Sequence, residues 1–244
     1  MRRRDGTART PPRLAGAAGT IDLPFDAAPP ADCPACPRLA KFRAENRRKF
    51  PDWLNAPVPS FGAAEARLAI VGLAPGLRGA NRTGRPFTGD FAGDLLYATL
   101  LDFGFAGGAY EQRADDSLSL IDCVIVNAVR CVPPQNKPTP LEIATCRRYL
   151  TGTLAGLANL RIVVALGRIA HESLLRQYGL RLAQFAFAHG AVHTPGQGLP
   201  TIVDSYHCSR YNTNTGVLTP TMFREIFATA RKLLDGEAAS GPTR

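Results

Sequence analysis

Three short apolar runs and a fourth segment that reads as a strand, set well apart along the chain, constrain the fold more than any other feature. They are Arg67-Leu68-Ala69-Ile70-Val71-Gly72, Ile121-Asp122-Cys123-Val124-Ile125-Val126, Arg161-Ile162-Val163-Val164-Ala165-Leu166-Gly167 and Thr201 to Ser205. Short runs this rich in β-branched residues, with little polar alternation, are expected of strands covered on both faces, and strands of that kind are usually parallel. The intervening segments read as helices. Leu95, Leu96, Thr99, Leu100 and Phe103 have helical spacing from Asp90 or Phe91 onward. Thr139 as N-cap, Pro140 in the first turn and Glu142 three residues after the cap predict a helix to about Ala158. Further helices are expected over Arg168 to Tyr178 and from Thr219-Pro220 to about Leu234, with short strands between Phe185 and Thr194. This alternation specifies an α/β fold, a three-layer α/β/α sandwich around a central, mainly parallel four-stranded sheet. Ligands in such folds bind beyond the carboxyl ends of the strands. The polar, glycine-rich segments Gly72 to Asp90, Asn127 to Thr139 and His207 to Gly216 follow three of those ends, so they should converge on one cleft.

At 244 residues the chain suits one globular domain, placed at residues 31–235. Residues 1–30 are rich in Arg, Ala, Pro and Gly and hold few large apolar anchors, so they are expected to form a disordered basic tail. Residues 236–244 are expected to be a flexible C-terminus. The Arg-rich start shares the composition of an organelle transit peptide but lacks a clear amphipathic face. Residues 1–50 carry eleven Lys and Arg against five acids, and the whole chain carries +9. That excess points to a polyanionic partner, nucleic acid first. No uncharged apolar run approaches the ~18 residues that a membrane span requires, and no apolar stretch with secretory flanks opens the chain. A soluble, monomeric protein of the cytoplasm, with no membrane partner, is the expectation.

Six cysteines in a chain of this length fit a reduced intracellular protein better than a disulfide framework. Cys33 and Cys36 form a C-x-x-C turn between prolines, which holds two thiols ready for one metal centre. Cys131 follows a strand and Cys146 lies within a predicted helix, so two ligands from each region could close a four-thiolate site. The spacing leaves iron–sulfur cluster and zinc both open. Cys123 reads as strand core and Cys208 as apolar filler.

The loops carry a recognisable pattern. Gly72-Leu73-Ala74-Pro75-Gly76 followed by Asn81-Arg82-Thr83-Gly84-Arg85-Pro86-Phe87-Thr88-Gly89-Asp90 resembles the first motif of the family 5 uracil-DNA glycosylases. Val129 to Pro140, with Arg130-Cys131 and Pro133-Pro134-Gln135-Asn136, and Ser205-Tyr206-His207-Cys208-Ser209-Arg210-Tyr211-Asn212-Thr213 resemble its second and third motifs. The resemblance spans about residues 31–235. It implies a monofunctional enzyme that excises uracil from double- or single-stranded DNA, with a structural [4Fe-4S] cluster on Cys33, Cys36, Cys131 and Cys146.

An enzyme acting on a base must extrude it into a pocket and hold it by stacking and edge hydrogen bonds. Phe87 suits the stacking face. Asn127 and Asn136 can each offer a donor and an acceptor. Gly72, Leu73, Ala74, Pro75 and Gly76 would line the pocket, and His189 fits a further family position. Breaking the N-glycosidic bond leaves positive charge on the sugar and negative charge on the base. The resemblance places His207 at uracil O2 and Asp90 at the water or the cationic sugar; Asp90 also reads as an N-cap. Leu73 and Ala74 stand where other uracil-DNA glycosylases carry a polar residue that activates water. Arg82, Arg85, Ser209, Arg210, Tyr211 and Asn212 are the candidate DNA contacts. Two alternatives stay open: a glycosylase for another deaminated base such as hypoxanthine, and a catalytically silent iron–sulfur DNA-binding protein.

Overall fold

The computed structural model describes residues 27–239. An N-terminal turn leads into α1 (Pro37–Lys49), the edge strand β1 (Phe61–Gly62), the long strand β2 (Leu68–Gly72), one turn of helix α2 (Ala80–Thr83) and α3 (Phe91–Asp102). A two-stranded ribbon of β3 (Ala106–Gly107) and β4 (Ser119–Leu120) precedes β5 (Cys123–Asn127), α4 (Pro140–Ala155), β6 (Ile162–Leu166) and α5 (Arg168–Gln177). The edge strand β7 (Val192–His193), β8 (Thr201–Ser205), the short α6 (Arg210–Asn214) and α7 (Pro220–Ala239) follow.

The main sheet runs β1-β5-β2-β6-β8-β7. Its four inner strands are parallel, as the apolar runs predict. The sheet has six strands and not the expected four, because β1 and β7 pair antiparallel at its edges. Each of these is two residues long, too short to carry a periodicity. Alternate residues of the inner strands feed two cores. Leu68, Ile70, Ile125, Val164 and Val203 pack with Leu96 and Leu100 of α3 and Phe223 and Phe227 of α7. Ala69, Val71, Val126, Val163 and Ile202 pack with Leu150 and Leu154 of α4 and Leu174 and Leu175 of α5. Full burial of each larger side chain contributes about 1.5–3 kcal/mol, which is why both faces of the runs are apolar.

Helix starts follow their sequence signals. Thr139 Oγ1 accepts from Glu142 N–H at 3.2 Å while Glu142 Oε2 accepts from Thr139 N–H at 2.7 Å, the reciprocal capping box. The register sets Gly72 beside Asn127 and Leu166 beside Ser205, so the four carboxyl ends share one edge. Most of the segment read as a basic tail (residues 1–26), and residues 240–244 of the expected C-terminal extension, lie outside the described residues. Within residues 27–30, Pro29 is buried and Pro30 O accepts from Cys33 N–H at 2.9 Å. Helix α7 continues past Leu234 to Ala239.

Candidate active site

A cleft of about 710 Å³ opens at the carboxyl edge of the sheet. It joins the three predicted loops: Leu73, Ala74, Pro75, Gly76, Phe87 and Asp90 from the first, Asn127 and Asn136 from the second, His207, Ser209 and Arg210 from the third. Gly72 lies where no side chain fits. A Cβ there would stand 2.4 Å from Asn127 Oδ1 and 2.8 Å from Phe87 Cζ. Phe87 and the Asn127 amide therefore meet over a glycine. Phe87 has φ +53°, a left-handed conformation that is costly for an aromatic residue. Asn127 is buried, and its Oδ1 has no hydrogen-bond partner among the described residues. A buried, unpaired acceptor is costly unless a ligand donor meets it.

His207 lies across from Phe87, with ring centroids 5.9 Å apart and planes 29° apart. Burial pushes its pKa down to about 4, so its imidazole is neutral near pH 7. Asp90 caps α3, its Oδ1 accepting from Gly93 N–H at 3.2 Å. Its other oxygen lies over the glycines of the first loop, 2.4 Å from a Cβ placed at Gly79 and 3.0 Å from one at Gly76. Burial raises the Asp90 pKa, while the amide hydrogen bonds at the helix start pull it back. One carboxylate thus caps a helix and reaches the cleft. Asn136 sits beyond Pro133-Pro134 in a turn where both Gln135 (φ +57°) and Asn136 (φ +56°) are left-handed.

Other candidates fall outside this cleft. His189 Nδ1 accepts from Tyr206 N–H at 3.1 Å and its ring stacks on Tyr206, so it braces the chain just before His207. Tyr211 is 74% exposed on α6, and the Asn212 amide donates to His207 O at 2.8 Å. Arg82 is exposed, its Nε donating to Arg78 O. Arg85 is a correction: it is no surface cation. It is buried, its two terminal nitrogens bind Asp116 at 2.7 and 2.8 Å, and its Nε donates to Thr88 Oγ1. A guanidinium spent in this way has no fork left for a phosphate. Arg78, which the motifs do not single out, is exposed on the cleft rim.

A second cavity lies between the N-terminal turn and α4, where Cys33, Cys36, Cys131 and Cys146 face one another. Burial pushes the Cys131 thiol up to about 12 and raises Cys36 and Cys146, so the buried setting disfavours their thiolates and a bound cation would favour them. Polar hydrogens already reach their sulfurs: Arg43 Nη1–H to Cys131 at 3.5 Å and Arg130 N–H to Cys146 at 3.4 Å, with the Tyr149 hydroxyl 3.7 Å from Cys33. Four thiolates on one tetrahedral zinc lie about 3.8 Å apart. No three of these sulfurs lie within 4.8 Å of one another, because the only described metal-ligand trio that close is His171, His193 and Asp204. The donor set fits a polynuclear centre better than a single ion. Cys123 and Cys208 are fully buried in the core away from this cavity.

That group of two histidines and an aspartate has no sequence signal, its members being far apart in the chain. Asp204 Oδ1 bonds His171 Nδ1 at 2.8 Å and its Oδ2 bonds His193 Nε2 at 2.9 Å, while Phe185 O accepts from His171 Nε2–H at 2.9 Å. Ligands on a tetrahedral zinc would be about 3.3 Å apart, so protons join these groups. Burial opposes charge on His171, but the Asp204 hydrogen bond and charge outweigh it and raise the His171 pKa.

The sequence pattern described as the uracil DNA glycosylase superfamily matches residues 59–231. A protein of Thermus thermophilus named type-5 uracil-DNA glycosylase is 47% identical over 207 residues, 82% of this chain and 93% of the relative. Type-5 uracil-DNA glycosylases of Mycobacterium tuberculosis and Pyrobaculum aerophilum are 43% and 37% identical, each over 82% of this chain and over 78% and 88% of their own lengths. A type-4 uracil-DNA glycosylase of Archaeoglobus fulgidus is 32% identical over 56% of this chain.

Proposed function

This chain belongs to the uracil-DNA glycosylase superfamily, and on that premise we propose that it excises uracil from DNA by hydrolysing the N-glycosidic bond, the opening step of base excision repair. The observation that carries this reading is the unpaired, buried Oδ1 of Asn127 beside the face of Phe87. Uracil N3–H supplies the missing donor, its O4 accepts from the Asn127 amide, and its ring stacks on Phe87. Cytosine turns an acceptor at N3 toward Asn127 Oδ1, so its edge is rejected by an unpaired acceptor on each side.

Cleavage of the C1′–N1 bond sends its electron pair to the base, where charge gathers at O2. Neutral His207 donates a hydrogen bond to that oxygen. Asp90 faces the cationic sugar, orients water toward C1′ and receives the proton that water gives up. The uracil anion takes up a proton from solvent and Asp90 gives up the one it received, so the products are free uracil and an abasic sugar, with the strand intact. Asn136 supports the water or the base edge. Ser209 and Arg210, with exposed Arg78 and Arg82, contact phosphates; Tyr211 offers a bulky group for the gap left by the flipped nucleotide. The basic residues of the N-terminal 30 add sequence-independent attraction to DNA. Cys33, Cys36, Cys131 and Cys146 hold a structural [4Fe-4S] cluster that ties the N-terminal turn to the loop bearing Asn136; the wide sulfur spacing and the hydrogens aimed at sulfur support it. The enzyme works as a monomer, in the cytoplasm where the DNA lies.

Hypoxanthine is a second reading that the same atom favours. Its N1–H and O6 repeat the edge that uracil shows at N3 and O4, and a cleft of about 710 Å³ lined by Leu73 and Ala74 admits a purine. Thymine also shares this edge, and its discrimination rests on room beside C5. The test is to incubate the protein with oligonucleotides each holding one candidate base and then cleave abasic sites with alkali. Cutting at uracil and hypoxanthine, and none at cytosine or adenine, is expected. Cutting at none of them would leave a silent DNA-binding protein in its place.

A further inference from the structure

The segment Arg85 to Gly89, which carries the Phe87 ring, is held from outside at nearly every residue. Tyr97 O–H donates to Pro86 O at 2.5 Å, Tyr110 O–H donates to Phe87 O at 3.2 Å, and Gly89 N–H donates back to the Tyr110 oxygen at 3.4 Å. Burial raises the Tyr110 pKa to about 12, so this hydroxyl keeps its proton. The carbonyl that Tyr110 grips belongs to the one aromatic residue among the described residues with a left-handed backbone. It also lies where helix α3 allows no side chain: a Cβ at Gly93 would fall 1.7 Å from Phe87 O and 2.5 Å from the Tyr110 oxygen.

Tyr110 is itself placed by a buried ion pair. Its loop, between β3 and β4, is gathered by Asp116, which accepts from Glu111 N–H and Leu118 N–H at 2.9 and 3.1 Å and binds the Arg85 fork. The Arg85 guanidinium lies against the rings of Phe61, Tyr97 and Tyr110 at 5.2, 5.4 and 5.7 Å. A charge that the sequence offers to DNA is used inside the protein, fixing one side of the ribbon loop to the segment bearing Phe87.

We infer that Tyr110, placed by the Asp116–Arg85 pair, is a positioning residue for base recognition. It holds the Phe87 carbonyl, and with it the plane of the ring over Gly72 on which the flipped base stacks. The ribbon of β3 and β4 is then part of the base-binding machinery, although it never reaches the cleft. This inference rests on the stacking role given to Phe87 above.

The test is Tyr110→Phe in the full chain with its native metal content, a change of one oxygen atom. Single-turnover excision of uracil and inhibition by free uracil should each weaken about tenfold, the effect of one hydrogen bond. Affinity for abasic duplex DNA should stay within about twofold, since no phosphate contact changes. Gly93→Ala, which displaces the same carbonyl from the helix side, should act likewise, and Tyr110→Phe should add nothing to Phe87→Ala. A crystal structure of Tyr110→Phe should show Phe87 moved from its left-handed conformation or its ring shifted from Gly72, whatever the enzyme excises. An unmoved ring overturns the inference, as does wild-type uracil inhibition in a variant that only melts earlier. Failure of the wild type to release uracil would instead overturn the functional reading, and the crystal structure would still decide the role of Tyr110.

Discussion

Asp90 can be divided experimentally into its two jobs. As an N-cap its Oδ1 meets Gly93 N–H at 3.2 Å, and replacing such a cap by Ala costs about 1 kcal/mol. In a domain of this size that lowers the melting temperature by about 2–4 °C. Burial opposes charge on this carboxylate, so the loss should fall at the small end of that range. Its other oxygen, over Gly76 and Gly79, faces the cleft. If it stabilises the sugar cation and orients water, its removal should cost ~10²-fold or more in single-turnover rate, about 2.7 kcal/mol of transition-state stabilisation. Asp90→Ala should show both losses. Asp90→Ser keeps an oxygen for Gly93 N–H but no carboxylate, so it should melt like the wild type and still lose ~10²-fold in rate. The assay is excision from a uracil-containing duplex with enzyme in excess, paired with thermal melts. A serine variant excising at near wild-type rate would refute the argument, and Asn136 would become the first candidate partner for water.

The two histidine environments should separate in an NMR titration of the imidazole carbons: His207 should stay neutral from pH 8 down to about 5, and His171 should titrate above 6.5. A His207 midpoint near 6.5 would contradict its burial. Because the His171 pKa is raised in the folded state, its stabilising effect is complete below pH 6.5 and is lost as pH rises through the folded value. The wild-type melting temperature should therefore carry a fall above pH 6.5 that His171→Gln removes; an unchanged profile would show that Asp204 does not hold an imidazolium. Cys146→Ser should lose iron and brown colour, whereas Cys123→Ser, in the core of β5, should keep both, and equal behaviour would undo the ligand assignment.

Much of this architecture was legible because the physics acting on it is local. Strands buried on both faces must be largely apolar, and the runs around Leu68, Cys123 and Ile162 are; β8 departs from this with Asp204 and Ser205, which are buried and hydrogen-bonded. Thr139 and Glu142 announce α4 because a capping box is a contact across three residues. The convergence of Asp90, Asn127 and His207 follows from the rule that ligands gather where parallel strands end. What escaped depends on distant partners. Arg82 and Arg85 look alike in sequence, and only Asp116, on another loop, draws the second inside. Helix α1 buries Leu39, Arg43 and Asn46, a stripe with a single apolar member, so no apolar periodicity announces it. Arg43 is buried because it reaches Cys131 and the Cys33 carbonyl. Nothing local marks the left-handed Phe87, whose carbonyl accepts from Tyr110 and packs against Gly93, nor the meeting of His171, His193 and Asp204.

The most direct measurement is mass spectrometric identification of every product formed when the purified protein meets a duplex containing one uracil, before any alkali is added. The reading of Asn127, Phe87, Asp90 and His207 requires free uracil in equal amount to an uncut strand bearing an abasic site. A strand that keeps its uracil, or one that is cut without alkali, would contradict it.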